Sequence, residues 1–111
     1  ADEVSAPAHA VVVAERDRLV IGYGCSSVAG DVADLLRIAV APEFRRTGVA
    51  SELLEALHEA VTGADRMLLE VASSNVDAQA FYAAHGYAEI SRRRRYYASG
   101  DDAVVMAHRL G

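Results

Sequence analysis

The stretch from residue 34 to residue 57 constrains the fold of this chain more than any other part of the sequence. It opens with the apolar run DLLRIAV over residues 34–40, which is typical of a largely buried strand. Pro42 follows, and because proline cannot donate a backbone hydrogen bond, it ends or edges that strand. Apolar residues then recur at four-residue spacing, which predicts a helix with one buried face. The positions in this series are Val49, Leu53, Leu57 and Val61.

The junction between this strand and this helix has the composition of an anion site. The first turn of a helix presents free backbone N–H groups and the positive end of the helix dipole. Gly48 and Ala50 keep side chains away from those groups, so a phosphate can approach them directly. Arg45 and Arg46 add positive charge at the same place. Taken alone, the stretch also fits an ordinary helix start with two solvated arginines.

The pattern Arg45-x-x-Gly48-x-Ala50 between a strand and a helix resembles motif A of the GNAT acetyltransferases, which bind the pyrophosphate of acetyl-CoA there. Three later segments resemble the RimI-type branch, the N-terminal acetyltransferases of ribosomal proteins. The resemblance covers residues 18–109 and implies an α/β GNAT fold with a mixed sheet splayed around an acetyl-CoA cleft. The three segments are LEVASSNVDAQAFYAAHGY over 69–87, RRRRYY over 92–97 and VVM over 104–106.

Alternating apolar residues and turn signals predict the other elements. Two strands precede the central stretch, and Gly22 and Gly24 in the second predict a bulge or a close backbone contact. Gly63 is predicted to cap the long helix, and Gly86 to stop a short one that contains Phe81 and Tyr82. The predicted strands are 9–15, 19–28, 34–40, 67–71, 87–97 and 103–109.

The N-terminus differs from the usual family pattern. Residues 1–8 are small, polar and proline-containing, which predicts a flexible segment ahead of a GNAT domain at 9–111. Family members usually begin with a strand and one or two helices that form a wall of the acceptor site. The resemblance therefore implies that this chain lacks that segment or that another chain supplies the wall.

Composition narrows the classes of partner and compartment. A chain of 111 residues forms one domain, and its net charge of −5 argues against a general nucleic-acid partner. There is no apolar run long enough to cross a bilayer. A single cysteine, Cys25, interpreted as a buried structural thiol, favours the cytoplasm. His58 begins a sequence close to a zinc helix, but Thr62 occupies the second histidine position, so no metal is expected.

The resemblance also implies the site residues. Glu70 takes the position of the general base, Tyr82 that of the general acid, and Asn75 that of a cofactor contact. From the residues alone, Glu70 equally fits an outward position of an alternating strand, and Tyr82 fits core packing beside Phe81. The implied acetyl-CoA contacts are Ile38, Ala39 and Val40 along the pantetheine arm and Arg45, Arg46, Thr47, Gly48, Val49, Ala50 and Ser51 around the pyrophosphate.

The implied reaction moves the acetyl group of acetyl-CoA to a protein N-terminal α-amine. The RimI-type segments point to the N-terminal alanine of a small-subunit ribosomal protein as the partner. Two alternatives stay open: a GNAT enzyme for a small-molecule amine, and a CoA-binding regulatory module without turnover. The run 92–95 fits either a solvated strand edge or a local anion site, and Tyr96 and Tyr97 are candidates for shaping a peptide groove.

Overall fold

The computed structural model describes residues 8–61 and 63–110, which form one six-stranded sheet with two helices. The strand order is β1-β2-β3-β4-β6-β5. All neighbours are antiparallel except β3 and β4, which are parallel. The elements are β1 Ala8–Arg16, β2 Leu19–Ala29, β3 Val32–Val40, a 3₁₀ turn Pro42–Phe44, α1 Val49–Ala60, β4 Arg66–Ala72, α2 Val76–Ala84, β5 Ala88–Arg93 and β6 Ala103–Arg109.

The parallel pair β3–β4 holds together over three residues only. Val32, Ala33 and Asp34 pair with Arg66, Met67 and Leu68. One residue later β3 contains a β-bulge, because Ser26 of β2 lies opposite Leu35 whereas Cys25 lies opposite Arg37. A bulge bends its strand, so beyond Asp34 the two strands diverge and leave a gap. The predicted mixed, splayed sheet is confirmed.

The core lies on one face of the sheet, beneath both helices. The buried side of α1 packs on β2 and β3 and on the inward residues of β4 and β6, and α2 packs against the same cluster. The opposite face of β1 and β2 leaves Val11 69% and Val13 55% exposed. The fully or nearly buried members include Leu53, Leu54, Leu57, Met67, Leu69, Val71, Val104 and Met106.

Two glycines of β2 let α1 approach the sheet closely. A Cβ atom at Gly22 would lie 2.9 Å from the carbonyl oxygen of Ala39, and one at Gly24 would lie 2.9 Å from a methyl of Leu57. Because the Ala39 oxygen belongs to the backbone, Gly22 requires glycine, whereas a side chain at Gly24 would force the Leu57 side chain to shift. The predicted close backbone contact is confirmed at Gly22, where the neighbour is the backbone of β3, whereas at Gly24 the neighbour is a side chain of α1.

The C-terminus of α2 is closed by a Schellman motif. The Tyr87 N–H donates to the Tyr82 carbonyl at 3.0 Å, and the Gly86 N–H donates to that of Ala83 at 3.1 Å. Gly86 adopts φ 91°, which a glycine takes without strain. The predicted stop at Gly86 is confirmed, and the motif fixes Tyr82 relative to β5.

Several predicted boundaries were wrong by a few residues. β3 begins at Val32, and α1 ends at Ala60, so Gly63 lies two residues beyond the C-cap Val61. β5 ends at Arg93 because Arg95 turns to φ 48° and donates its N–H to Asp102. The thiol of Cys25 is half-buried rather than buried. Residues 1–7 of the predicted flexible segment lie outside the described residues.

A histidine–tyrosine cluster joins α1 to the α2–β5 junction. His58 Nε2 lies 2.7 Å from the Tyr87 hydroxyl. The ring of His58 stacks on that of His108 with centroids 5.1 Å apart, and His108 Nδ1 donates to the Gly86 carbonyl at 3.1 Å. Burial, together with His108 and His85, holds the pKa of His58 below its usual value, while Glu55 acts in the opposite direction.

This cluster predicts a loss of stability in mild acid. The unfolded chain binds a proton at His58 near pH 6.5, more readily than the folded protein does. The stabilisation is therefore complete above about pH 6.5 and is lost as pH falls through the lower native value. We expect His58→Gln to flatten the dependence of Tm on pH between 7 and 5, measured by thermal unfolding. His9→Gln, at an exposed histidine of β1, is the control, and equal slopes in parent and His58→Gln would contradict the assignment.

Candidate active site

The N-terminus of α1 is an open cradle of backbone donors. Gly48 is the N-cap with φ 91°, and no side chain caps the helix. A Cβ atom at Gly48 would meet no atom within 4 Å. The Glu52 N–H makes the first helical hydrogen bond to Gly48, so the N–H groups of residues 49–51 precede the regular ladder. The predicted anion site therefore has free donors and free space.

The turn before α1 fixes two arginines at this cradle. The Thr47 hydroxyl donates to the Phe44 carbonyl, and Arg45 Nε donates to the Val40 carbonyl at 3.4 Å. Arg46 adopts φ 63°. Together these residues border a cavity of about 330 Å³. Its lining is Val40, Phe44, Arg45, Arg46, Gly48, Ala50, Ser51 and Phe81.

A second cavity, of about 400 Å³, extends from this cradle along β3 to α2. It shares Val40, Arg45, Ala50 and Phe81 with the first, and we call the two together the cofactor-side groove. In the described part of the chain, residues 35–40 pair with no strand on their β4 side. Apart from the Val40 carbonyl, which accepts from Arg45 Nε, the backbone groups on that edge are free to bind an extended ligand. The groove's other residues are Arg37, Ile38, Ala39, Ala78 and Tyr82.

Two predicted site residues belong to α2. Asn75 is the N-cap, and its Oδ1 accepts the Ala78 N–H at 3.1 Å, which leaves its amide nitrogen as a donor. Tyr82 lines the groove and packs edge-to-face on Phe81 with centroids 5.2 Å apart. Burial raises the pKa of Tyr82 above its usual value. Its phenol is therefore protonated at neutral pH and can act as a proton donor.

A separate cavity of about 480 Å³ lies on the other side of the gap, and we call it the acceptor-side cavity. Glu70 points into it, and Oε1 of Glu70 lies 3.4 Å from an Nη atom of Arg93. Asp34 contributes a second carboxylate, and Tyr96 and Tyr97 supply aromatic surface. The full lining is Asp34, Leu35, Leu36, Leu68, Leu69, Glu70, Arg93, Tyr96, Tyr97 and Val105.

Glu70 and Tyr82 lie on opposite faces of the sheet. Tyr82 is on the face that carries α1 and α2, whereas Glu70 alternates with the buried residues Leu69 and Val71 and so points to the other face. The lining of the acceptor-side cavity ends at Leu36 of β3, and that of the groove begins at Arg37. Two ligands that enter from opposite faces would therefore meet in the gap between β3 and β4.

Phe81, Arg37, Asp34 and Arg93 are among the lining residues that the sequence did not single out as part of a site. Phe81 lines both parts of the groove, although its aromatic pair with Tyr82 favoured core packing. Arg37 lines the groove and Asp34 the acceptor-side cavity, and both were interpreted only as parts of a strand. Arg93 was one of four consecutive arginines, and no sequence signal could have singled it out, because a bulge between Glu89 and Ser91 interrupts the alternation of β5.

Within residues 8–61 and 63–110, no group of three or more histidine, cysteine or acidic side chains is placed to hold a metal ion. Over the same residues, neither helix has the length and apolar character needed to span a membrane.

Comparison with known proteins places the chain in a family. The model described as an acetyltransferase (GNAT) domain matches residues 7–89. The [ribosomal protein bS18]-alanine N-acetyltransferase of Escherichia coli is 38% identical over 90 residues, which cover 77% of this chain and 61% of that protein. An N-alpha-acetyltransferase of Sulfurisphaera tokodaii is 34% identical over 113 residues, with 88% and 68% covered. The chain belongs to the GNAT acetyltransferase family.

Solved structures agree on the fold. The crystal structure of the ribosomal-protein-S18-alanine N-acetyltransferase from Escherichia coli superposes with a TM-score of 0.86 at 31% identity, and covers 93% of this chain and 70% of that one. Nourseothricin acetyltransferase gives 0.85 at 25% identity, with 93% and 66% covered. The predicted GNAT fold is confirmed. The chain spans 61% of the length of the curated Escherichia coli relative.

Proposed function

We propose that this chain carries the catalytic machinery of an acetyl-CoA-dependent N-acetyltransferase that modifies a protein N-terminal α-amine. The observation that carries the proposal is the arrangement around the β3–β4 gap. A helix N-terminus with free donors and an unpaired strand edge lie on one side. A carboxylate in its own cavity lies on the other.

The cofactor-side groove fits acetyl-CoA in shape and charge. The N–H groups of residues 49–51 suit a pyrophosphate, because nothing occupies the space at Gly48 and two arginines border it. The free edge of residues 38–40 suits the amides of a pantetheine arm, which can pair with it as a strand would. When bound there, acetyl-CoA supplies an acetyl group activated as a thioester.

Glu70 and Tyr82 have the properties that the reaction needs. An α-ammonium has a pKa near 8, so it must lose a proton before its nitrogen attacks, and Glu70 receives that proton through a water. The nitrogen forms a bond to the acetyl carbon as the carbon–sulfur bond breaks. The sulfur leaves with the electron pair, and the phenol of Tyr82 protonates it. The products are an acetylated amine and the free thiol.

The nature of the acceptor is supported by the relatives. The Escherichia coli protein is named a [ribosomal protein bS18]-alanine N-acetyltransferase, and the Sulfurisphaera protein an N-alpha-acetyltransferase. We infer that the N-terminal alanine of a ribosomal protein is the acceptor. A small-molecule amine is the second candidate, favoured by the likeness to nourseothricin acetyltransferase. A cytoplasmic location stays a prediction.

Mass spectrometry separates these candidates. We would incubate the protein with acetyl-CoA and a peptide that begins with alanine, with the same peptide blocked at its N-terminus, and with a polyamine. Addition of one acetyl group to the free peptide alone is the expected result. Acetylation of the polyamine alone would favour the small-molecule enzyme. Binding of acetyl-CoA without any transfer would favour a regulatory module.

Gly48 tests the anion cradle. Gly48→Val places a branched side chain in the open space above the helix N-terminus, so affinity for acetyl-CoA should fall at least tenfold, about 1.4 kcal/mol. The measurement is calorimetry. Gly30→Val is a matched control, because Gly30 also has a positive φ and open space but lies in the β2–β3 turn. Equal affinities for acetyl-CoA in the two variants would show that its pyrophosphate does not bind at Gly48.

Tyr82 tests the proton donor. Tyr82→Phe keeps the ring packing and removes the phenol proton, so acetyl-CoA should bind as in the parent while turnover falls roughly 10²-fold. Tyr23→Phe, on the exposed face of β2, should turn over like the parent. Unchanged turnover in Tyr82→Phe would leave Tyr82 as a packing residue.

Glu70 tests the general base. Glu70→Gln keeps the shape of the side chain but cannot accept the proton, so turnover at pH 7 should fall while affinity for acetyl-CoA is retained. Part of the activity should return above about pH 8, where the α-amine deprotonates unaided. The measurement is a pH–rate profile on an alanine peptide, with Glu59→Gln at the exposed end of α1 as control. Profiles of parent and Glu70→Gln that differ by a constant factor alone would exclude the base role.

A further inference from the structure

We propose that Arg93 is a positioning residue that holds the Glu70 carboxylate towards the acceptor-side cavity. The proposal rests on the proposed function, because it gives Arg93 a task only if Glu70 serves the acceptor amine. It makes one arginine of the run 92–95 part of the site.

The sheet register explains why Arg93 reaches Glu70. Val105 of β6 lies opposite Glu70 of β4 on one side and opposite Ser91 of β5 on the other. Residues opposite each other share a face, and so do residues two apart along a strand. Arg93 therefore shares the face of Glu70, and its long side chain crosses β6 to bring Nη within 3.4 Å of Oε1.

The same guanidinium also contacts the aromatic side of the cavity. Its central carbon lies 5.5 Å from the centroid of the Tyr96 ring, a distance at which a cation is attracted to the ring face. Arg93, Glu70 and Tyr96 all line the acceptor-side cavity. Arg93 thus links a carboxylate of β4 to the loop that follows β5.

The neighbouring Arg92 has a different task. A bulge between Glu89 and Ser91 shifts the register of β5, so Glu89 and Arg92 lie opposite Met106 and Val104, which belong to the core side. Arg92 Nε binds the Glu89 carboxylate at 3.0 Å, outside the acceptor-side cavity. Arg92 is therefore a matched control: the same residue type, one position away, paired with another glutamate.

The ion pair between Arg93 and Glu70 orients the carboxylate but adds little to the stability of the fold. The side chains of Arg93 and Glu70 are 60% and 30% exposed, and pairs of that exposure contribute little to folding. The single Nη–Oε1 contact at 3.4 Å nevertheless favours the carboxylate rotamer that faces the guanidinium, because the two opposite charges attract. Asp34 and Glu70 together exceed the single charge of Arg93 in this lining, so the cavity still attracts the ammonium of an acceptor.

The first test is a double-mutant cycle on turnover of an alanine peptide, with Arg93→Gln, Glu70→Gln and the double variant. If Arg93 acts through Glu70, Arg93→Gln lowers kcat about tenfold with an unchanged KM for acetyl-CoA. The double variant is then no slower than Glu70→Gln. Arg93→Lys keeps the positive charge on a shorter side chain and should recover part of the rate. Arg92→Gln should behave like the parent.

The second readout does not depend on turnover. Relative to the parent, the Nε–H resonance of Arg93 should shift in the Glu70→Gln variant. It should keep the parental position in the Glu89→Gln variant. Thermal unfolding checks that all variants fold. An Arg93 resonance that is unchanged in Glu70→Gln would overturn the proposal. So would a double variant whose loss in kcat equals the product of the losses in the two single variants.

Failure of the proposed acetyltransferase function and failure of the role of Arg93 give different results. A parent that acetylates no peptide, or a Glu70→Gln variant as fast as the parent, contradicts the proposed function, and the task given to Arg93 falls with it. A slow Glu70→Gln variant beside an Arg93→Gln variant of parental rate contradicts the role of Arg93 alone.

Discussion

The short pairing between β3 and β4 is the constraint on which the rest of the site depends. Parallel strands normally satisfy each other's backbone groups along their length, but here the bulge after Leu35 ends the pairing at Asp34. Unpaired backbone donors and acceptors are costly when they are dry. The edge of residues 35–40 therefore favours a ligand that can pair with it, and the gap gives that ligand a route between the two faces of the sheet.

The close packing of α1 makes the open edge useful. Because Gly22 and Gly24 present no side chains, α1 lies directly against β2 and β3, and its N-terminus is held where β3 ends. The donors of the anion cradle and the free edge of β3 thus lie next to each other in one packed unit. A ligand with an anionic group joined to an extended amide chain can bind both at once, without first ordering a loop.

The sequence was informative where chemistry is local and uninformative where it depends on register. The helix start at Gly48, the stop at Gly86 and the limits of β6 follow from residue type and spacing, and the structure bears them out. The bulge after Leu35 has no such signature, since nothing in DLLRIAV distinguishes it from a regular strand. The same applies to Arg93, whose face is fixed by a bulge in β5 that only strand pairing reveals. The family resemblance named Glu70 and Tyr82, but which face each occupies came from the packing.

The opposite placement of Glu70 and Tyr82 suits their proposed tasks. Tyr82 is surrounded by Phe81 and Tyr87 on the core face, and burial keeps its proton in place until a strong acceptor forms beside it. Glu70 lies on the exposed face with a cation on one side, so a proton that it collects has a direct path to water. An acid that must hold a proton and a base that must release one need different surroundings. A sheet that opens between β3 and β4 provides both within one small domain.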